Sequence, residues 1–343
     1  MSVTLKDIAN ELNLSINAVS RGLRNMPDIG PDTTKLIQET ALKLGYRKNF
    51  AASYIKTRKS MMLGIIITDI CNPLYSSIYK GIEHICANTD YALMLGNSNE
   101  NPEEEIAIID NMLSRGIDGI FLVPSMKNSD VLLRYKESKI PYIFLQRNFA
   151  DTSVPYIYSD DYKGGYLAAD HLYQQGHRSF LYLAPPLYIS SAKERFDGFV
   201  AFLQEQGLPK ECVEIVRSDA TRVGSYRAMN KWLKKQGNLN CLSATAIFCF
   251  SDYVAYGVYS ALAKHGLRIP NDISVIGYDN TEYSDIISPP LTTIDMQPYK
   301  IGRKAAQLML TMMDNPNIHE EPVKVFITPK LIQRSSTGIP KKF

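Results

Sequence analysis

The sequence has no apolar run that reaches the roughly 18–20 residues needed to span a bilayer. Its first residues, MSVTLKDIANEL, also lack the long apolar segment of a secretory signal peptide. Cysteine is scarce: there are five, an odd number, and no two are spaced as C-x-x-C. This pattern argues against a disulfide framework and a cysteine zinc site, and it predicts reduced, buried thiols in a cytoplasmic protein.

The signatures of common catalytic sites are missing as well. No glycine is followed by another two positions later, so the sequence contains no G-x-G-x-x-G, and it contains neither G-x-x-x-x-G-K-[ST] nor G-x-S-x-G. The five histidines show no metal-ligand spacing. We therefore expect no catalytic residue, no metal site and no cofactor.

What the sequence does contain is an uneven distribution of charge. The whole chain of 343 residues has a net charge of only +3. Residues 1–60 hold ten Lys and Arg against five Asp and Glu, whereas the remaining residues hold 28 against 30. A basic head on a near-neutral body is typical of a nucleic-acid-binding module joined to another domain. A chance imbalance of surface charge is the alternative.

The basic head contains only helical patterns. Thr4 begins a first short helix in the manner of a capping box, and Ser15 is a suitable N-cap for a second. Gly30-Pro31 begins a third helix, which ends at Gly45. Three short helices, the first two nearly abutting, are typical of a helix-turn-helix domain.

From residue 61 onwards, short β-rich runs alternate with helical segments. This alternation predicts parallel sheets with helices on both faces, and the number of strands favours two doubly wound lobes. A cleft between the lobes is then the expected ligand site. The predicted strands are Leu63–Ile67, Tyr91–Leu95, Gly119–Val123, Tyr142–Leu145, Tyr156–Tyr158, Ser179–Leu183, Val213–Val216, Ala246–Phe250, Ser274–Gly277 and Lys324–Ile327.

The second helix of the head has side chains suited to reading DNA. In a helix-turn-helix, the N-terminal residues of this helix meet base edges in the major groove. Asn17 can pair with adenine, Ile16 can touch a thymine methyl group, and the forked donors of Arg21 suit guanine. Ser20 can bond a phosphate or a base, although Ser15 and Ser20 are also ordinary capping and surface residues.

The motifs of the head, together with others along the body, resemble those of the lactose-repressor (LacI/GalR) family of bacterial transcription regulators. The resemblance runs in collinear order over nearly the whole chain. The motifs that carry it are Leu5-Lys6-Asp7-Ile8-Ala9, Ser15-Ile16-Asn17-Ala18-Val19-Ser20-Arg21, Leu44-Gly45-Tyr46, Asn72-Pro73-Leu74-Tyr75, Asp160-Asp161, Gly164-Gly165, His171-Leu172, Gly176-His177-Arg178, Arg195-Phe196-Asp197-Gly198-Phe199, Ser274-Val275-Ile276-Gly277-Tyr278-Asp279, and the segment from Pro329 to Gly338.

The resemblance implies a helix-turn-helix head, a hinge, and a body of two lobes of the periplasmic-binding-protein type. We expect the head at 1–47 and the hinge at 48–60. We expect the N-terminal lobe at 61–159 with 293–322, and the C-terminal lobe at 160–292 with 323–343.

The resemblance also implies a hinge helix that folds on DNA and inserts an apolar wedge into the minor groove. The matching stretch is Asn49–Ile55, and Ile55 holds the wedge position. Lys48 and Ser53 depart from the family pattern, and a plain flexible linker is the alternative. The expected DNA-contacting residues are Thr4, Leu5, Ser15, Ile16, Asn17, Ser20, Arg21, Thr33, Tyr46, Asn49, Ile55 and Lys56.

For the cleft, the resemblance implies a small effector, often a sugar or a purine in relatives. Arg195 matches the arginine that donates a forked pair of bonds, and Asp279 matches an acceptor for hydroxyl groups. Gln146 and Ser251 replace a common aspartate and asparagine, which indicates a different effector from that of better-known members. The expected effector-binding residues are Tyr75, Gln146, Arg147, Asp160, Asp161, Arg195, Ser251, Asp252 and Asp279.

The implied mechanism is a population shift in a homodimer bound to near-palindromic operator DNA. Effector binding changes the angle between lobes and so biases folding of the hinge. Repression is the expected output, and induction and corepression both remain open. Two alternatives also stay open: a stand-alone sugar-binding protein of the periplasmic type, and an α/β enzyme that acts on sugars.

Overall fold

The computed structural model describes residues 3–47, 59–125, 137–138, 140–147, 154–239, 241–315 and 323–341. Contacts between Cα atoms divide the chain into two compact units, Met1–Ser60 and Met61–Phe343. The expected hinge contacts Asn49, Ile55 and Lys56 lie outside the described residues.

The first unit contains three helices, α1 (Leu5–Leu12), α2 (Ile16–Gly22) and α3 (Pro31–Leu44). They begin and end where the capping pattern predicts. The Ser15 side chain accepts a hydrogen bond from the Ala18 amide at 3.1 Å, and Gly45 ends α3 in the left-handed conformation. All three helices contribute to one small apolar core, made of Ile8, Ala9, Val19, Ile37 and Ala41.

The second unit contains two six-stranded sheets. The first sheet is parallel throughout and has the order β11-β5-β4-β3-β1-β2. Its four inner strands β1, β3, β4 and β5 are apolar and almost entirely buried, which agrees with coverage on both faces, whereas the edge strands β2 and β11 are mostly exposed or half-buried. The strands are β1 (Met62–Ile67), β2 (Ala92–Asn97), β3 (Gly119–Leu122), β4 (Tyr142–Leu145), β5 (Tyr156–Ser159) and β11 (Lys324–Ile327).

The second sheet has the order β12-β10-β9-β8-β6-β7, and only its edge strand β12 runs antiparallel to its neighbour. Its strands are β6 (Phe180–Ala184), β7 (Val213–Arg217), β8 (Ala246–Cys249), β9 (Ser274–Tyr278), β10 (Thr292–Asp295) and β12 (Lys330–Ile332). A short 3₁₀ helix, Lys210–Cys212, precedes β7.

Helices connect the strands and pack together in pairs. The pairs are α4 with α10, α6 with α7, and α8 with α9, while α5 packs on β1 and β2. The bounds are α4 (Pro73–Cys86), α5 (Pro102–Ser114), α6 (Asp161–Gln174), α7 (Ser190–Glu205), α8 (Arg222–Lys235), α9 (Asp252–Lys264) and α10 (Pro298–Asp314).

Strand pairing differs from the expected lobe boundaries at two places. We expected the chain to return to the N-terminal lobe at residue 293, but β10 (Thr292–Asp295) pairs with β9 and β12 in the second sheet. We also expected 323 onwards to belong to the C-terminal lobe, but β11 (Lys324–Ile327) pairs with β5 in the first sheet. The chain therefore passes back to the N-terminal lobe only after β10, and it passes to the C-terminal lobe again only after β11. The predicted boundaries place each of these strands in the other lobe.

All ten predicted strands are present, within a residue or two at their ends. The two missed strands are β10 and β12. The prediction of buried thiols was only partly correct: Cys86 and Cys249 are buried, Cys212 is half-buried, and Cys71 and Cys241 are exposed. In the described part of the chain, no helix has both the length and the apolarity to cross a membrane.

Candidate functional site

A pocket of about 550 Å³, a volume that includes space open to solvent, is lined by residues from both lobes of the second unit. The chain segments that follow β1, β4, β8 and β9 meet there, as the carboxyl ends of parallel strands do in doubly wound folds. The described residues that line it are Thr68, Asp69, Asn72, Leu74, Tyr75, Glu100, Gln146, Arg147, Ser191, Arg195, Asp219, Ala220, Thr221, Phe250, Ser251 and Asp279.

Arg195, in the second turn of α7, lies in the wall of the cavity that the C-terminal lobe provides. Its side chain is 2% exposed, and its Nε atom donates to Asp161 Oδ1 at 2.8 Å. Its Nη1 atom donates to the Phe250 carbonyl at 2.6 Å. The guanidinium also stacks 3.6 Å from the ring centroid of Tyr278. Packing and hydrogen bonds thus fix the orientation of the guanidinium.

Asp279 lies next to Arg195 and offers acceptor atoms to the cavity. One of its oxygens is 3.5 Å from Arg195 Nη1, yet neither oxygen accepts a hydrogen bond from the described residues, although the side chain is 1% exposed. Burial raises the pKa of this carboxyl group well above its usual range. A buried acceptor without a donor partner is costly, so a ligand hydroxyl or amine is a fitting partner.

The wall that the N-terminal lobe provides contains a second arginine, Arg147, which is also paired with a carboxylate. The two Nη atoms of Arg147 donate to the two Glu100 oxygens at 2.8 and 2.5 Å, and Nη1 also donates to the Pro124 carbonyl. Beside this pair, the Tyr75 hydroxyl is 2.7 Å from Thr68 Oγ1. The ring of Tyr75 therefore presents a fixed aromatic surface to the cavity.

The two residues that depart from the family pattern, Gln146 and Ser251, both line the cavity. Gln146 has a left-handed backbone with φ of 67°, and its amide nitrogen lies 3.7 Å from Met296 Sδ. Ser251 is the N-cap of α9 and accepts from the Val254 amide at 3.3 Å. Ser251 therefore supports its own helix as well as lining the cavity.

Three predicted effector contacts lie outside the cavity lining. Asp160 caps α6 through the Lys163 amide at 2.9 Å, and Asp161 lies behind Arg195 as its ion-pair partner. Asp252 is fully buried, where burial raises its pKa to about 6. It accepts hydrogen bonds from the Thr281 amide, the Ser284 hydroxyl and the Thr293 hydroxyl. Asp252 therefore joins the loop that contains Thr281 and Ser284 to strand β10.

The sequence reading missed several polar lining residues, including Asp69, Glu100, Asp219 and Thr221. Each follows the carboxyl end of a strand by a few residues: Asp69 follows β1, Glu100 follows β2, and Asp219 and Thr221 follow β7. Applying the strand-end rule to every predicted strand would have identified them.

Two histidines have structural contacts in the C-terminal lobe. His171 Nε2 lies 2.8 Å from Thr337 Oγ1, and His177 joins Thr245 and the Gly338 carbonyl, so both fix the C-terminal segment. Among the described residues, no group of three or more His, Cys, Asp or Glu side chains is arranged to hold a metal ion.

In the first unit, the start of α2 presents the predicted base-reading side chains. Ser15, Ile16 and Asn17 are exposed, and Ile16 is 48% exposed although it is apolar. An exposed apolar residue at the first turn of a recognition helix suits contact with a thymine methyl group. Ser20 is half-buried, and its hydroxyl lies 3.5 Å from Arg24 Nη2.

Arg21 has an intramolecular partner that the sequence reading did not foresee. Its Nη2 atom lies 2.6 Å from Asp28 Oδ1, and the side chains are 35% and 49% exposed. Since exposed ion pairs contribute little stability, DNA can replace this partner at low cost. Of the other predicted contacts, Thr4 is exposed, whereas Leu5, Thr33 and Tyr46 are half-buried.

Known proteins match both units of this chain in sequence. Residues 60–335 match the family model described as periplasmic binding proteins and sugar binding domain of LacI family. The transcriptional repressor PurR of Actinobacillus pleuropneumoniae serotype 3 (strain JL03) is 31% identical over 333 residues, covering 97% of this chain and 98% of PurR. The transcriptional repressor CytR of Escherichia coli (strain K12) is 30% identical over 317 residues, covering 92% of each chain.

Solved structures have the same architecture. A LacI family transcriptional regulator from Enterococcus faecalis V583, with bound ribose, matches with a TM-score of 0.71 and 30% identity over 82% of this chain and 100% of that one. The lac repressor dimer bound to operator and the anti-inducer ONPF matches with a TM-score of 0.81 over 98% of this chain and 100% of that one. Its identity is 22%, so this second match supports the fold.

A helix-turn-helix unit followed by a two-lobed α/β unit with a polar cleft defines a ligand-responsive, DNA-binding transcriptional regulator. The collinear relatives narrow this class further. The chain belongs to the LacI family of transcriptional regulators.

Proposed function

We propose that this chain is a repressor that binds operator DNA as a homodimer, and that a small hydroxylated effector held between its lobes controls operator affinity. A sugar or sugar derivative is the effector class that we favour. The observation that carries the proposal is the pair Arg195 and Asp279, one a fixed buried donor and the other a buried acceptor without a donor partner.

The cleft supports effector control because its lining comes from both lobes. Tyr75 and Arg147 belong to the N-terminal lobe, while Arg195 and Asp279 belong to the C-terminal lobe. A ligand that contacts all four side chains favours one lobe arrangement over another. Operator affinity then shifts by the difference in ligand affinity between those arrangements.

Polar groups in a closed site discriminate strongly between ligands, because an analogue that lacks a hydroxyl leaves a buried partner unpaired. Ribose is bound in the related Enterococcus faecalis structure, which makes pentoses a reasonable first probe here. The replacements Gln146 and Ser251 at the cavity wall favour an effector specific to this chain.

Catalysis is not part of the proposal. Several polar lining groups have structural partners: Glu100 holds Arg147, Asp161 holds Arg195, and Ser251 caps α9. A repressor acts on DNA, so we place the chain in the cytoplasm. A stand-alone sugar-binding protein and an α/β sugar enzyme remain the rival functions.

One gel-shift experiment separates these three functions. The full chain is titrated into labelled DNA from the region upstream of its own gene, in parallel with a chain that lacks residues 1–60. The proposal predicts specific binding that the truncation abolishes, since Met61–Phe343 is a separate compact unit. Ligand binding without any DNA binding would instead favour a binding protein, and turnover of the ligand would favour an enzyme.

A further inference from the structure

The cavity has more acidic than basic side chains on its wall. Four carboxyl groups face two guanidinium groups among its described lining residues, and none of those residues is a lysine or a histidine. The carboxyl groups belong to Asp69, Glu100, Asp219 and Asp279. The three carboxyl groups other than Asp279 still outnumber the two guanidinium groups.

Both guanidinium groups are already neutralised by carboxylates. Arg147 uses its two Nη atoms on the two oxygens of Glu100, and it is further tied to the Pro124 carbonyl. Arg195 uses Nε on Asp161 and Nη1 on the Phe250 carbonyl, with Asp279 also close to Nη1. Neither arginine is therefore a free cation for an anionic ligand, although the remaining Nη2 of Arg195 can donate to a neutral oxygen.

The helix N-termini at the cavity are mostly capped as well. A free helix N-terminus attracts phosphate, because its amides have no partners and its dipole end is positive. Here Asn72 accepts from the Leu74 amide at the start of α4, Thr221 accepts from the Gly224 amide at the start of α8, and Ser251 caps α9. Among the described helices that begin at the cavity, α7, beside Ser191, is the one without a side-chain cap.

Acidic groups stand on both sides of the cleft. Asp69 follows β1 in the N-terminal lobe, and Asp219 follows β7 in the C-terminal lobe. Each has one oxygen engaged locally, since Asp69 accepts from the Cys71 amide and Asp219 from the Thr221 amide and hydroxyl. Their second oxygens can accept hydrogen bonds from a ligand, and the Asp279 carboxyl group, which has no hydrogen-bond partner among the described residues, can also bond to it.

Resting on the effector control proposed above, we propose that the cavity selects an unphosphorylated, donor-rich ligand and rejects the phosphorylated form of the same molecule. A phosphate dianion would add to the negative charge between the two lobes and would find no unpaired guanidinium among the described lining groups. Hydroxyl or amine donors would instead satisfy Asp69, Asp219 and Asp279 together, and so draw the lobes towards each other.

The test uses the full chain and matched ligand pairs. Pentoses, hexoses, disaccharides and nucleosides are each compared with their own monophosphates by calorimetry, starting with ribose and ribose 5-phosphate. Operator affinity is measured in the same samples. We expect the phosphorylated member of every binding pair to bind at least about tenfold more weakly, because a single charge pair at close range is worth that much.

Tighter binding of any phosphorylated member would overturn this inference and leave the proposed function intact. If no pair binds although operator DNA does, effector control itself fails, and the inference fails with it. The rejection of phosphate should also weaken as salt is raised, since screening reduces repulsion between partly exposed charges. Rejection that is independent of salt would overturn the electrostatic explanation.

The double variant Asp69→Asn, Asp219→Asn locates the effect. Asparagine keeps the oxygen that accepts from the Cys71 and Thr221 amides, so the local turns are preserved. We expect the affinity ratio of phosphorylated to parent ligand to rise about fivefold or more at low salt. Asp285→Asn, at an exposed position outside the cavity lining, is the matched control and should leave the ratio unchanged. An unchanged ratio in the double variant would overturn the proposal.

Discussion

Arg195 Nε lies 2.8 Å from Asp161 Oδ1, and both side chains are 2% exposed. The two residues lie on different helices, since Asp161 is the first residue of α6 and Arg195 lies in the second turn of α7. The ion pair therefore fixes the cavity-forming end of α7 against the neighbouring helix. The orientation of the guanidinium at the proposed effector site depends on a residue that does not itself line the cavity.

Removing Asp161 should destabilise the fold more than removing a surface carboxylate. Asp161→Ala leaves Arg195 buried without its closest counter-charge, which should cost about 3–5 kcal/mol in the free energy of unfolding, measured with urea. Asp197→Ala is the control, because its partner Lys193 is 79% exposed, and it should cost less than about 1 kcal/mol. Equal costs for the two variants would contradict the role of Asp161.

Arg195 should control the response to effector, whereas operator binding by the folded variant should be unchanged. Arg195→Ala is expected to abolish the change in operator affinity on adding effector, because the fixed donor at the C-terminal wall is lost. Arg195→Lys keeps the charge but loses the forked donors, and it should weaken effector binding at least about tenfold. Fluorescence anisotropy with labelled operator measures both effects. A variant that responds like the original chain would remove Arg195 from the site.

Arg21 should read one base pair rather than contribute general affinity. Arg21→Ala is expected to cost about 1–3 kcal/mol on the preferred operator and to relax discrimination at a single position. Lys43→Ala, at an exposed position in the last turn of α3, is the control and should leave base preference unchanged. Competition with operators substituted one base pair at a time measures the preference. If Arg21→Ala discriminates as well as the original chain, then Arg21 does not read a base.

Glycines allow α6 and α7 to approach closely at the site. A Cβ atom on Gly198 would collide with the Tyr162 carbonyl, and one on Gly165 would collide with the carbonyl of Arg195 itself. Gly198→Ala should therefore destabilise the chain by about 1–3 kcal/mol and weaken effector binding in parallel. The opposite change, Ala201→Gly in the same helix, should lower the free energy of unfolding by about 1 kcal/mol and leave effector affinity unchanged. Unfolding and calorimetry together separate these outcomes.

Glu105 should make stability depend on pH in a predictable direction. It is 1% exposed and accepts a hydrogen bond from the Ser125 amide, and burial raises its pKa from 4.5 to about 7. Because the folded state holds the proton more tightly, this group's stabilisation is full below 4.5 and is lost as the pH rises through about 7.

Glu105→Gln should therefore gain stability relative to the original chain as the pH rises through that window, by up to about 1.4 kcal/mol per pH unit. Urea unfolding of both chains at several pH values measures the difference. Glu103→Gln, in the exposed first turn of the same helix, should show no such trend. If the difference in free energy of unfolding between Glu105→Gln and the original chain stays constant with pH, the raised pKa of Glu105 is contradicted.

Much of this fold could be predicted from sequence because its signals are local. Capping residues such as Ser15 and Gly45 mark helix ends, and apolar runs mark buried strands. Strand β10 was missed because Thr292 and Thr293 are buried with their hydroxyls paired, the former with Thr337 and the latter with Asp252. A hydropathy pattern treats threonine as polar, so it does not identify a strand whose threonine hydroxyls are buried and hydrogen-bonded.

The site was harder to predict, since its geometry depends on tertiary pairing. Sequence alone could not distinguish Asp279, which lines the cavity, from Asp252, whose two oxygens both accept hydrogen bonds from a neighbouring loop or from strand β10. Nor could it show that Glu100 neutralises Arg147, because 46 residues separate them along the chain. Both distinctions require knowledge of which strand ends lie side by side.

The most direct test of effector-controlled DNA binding is an equilibrium titration of labelled operator with the full chain, with and without a saturating ligand identified by calorimetry. The account predicts a change in operator affinity of about 5–150-fold, and the reciprocal change in ligand affinity when operator is bound. An operator affinity that stays the same while the ligand fully occupies the cleft would contradict it.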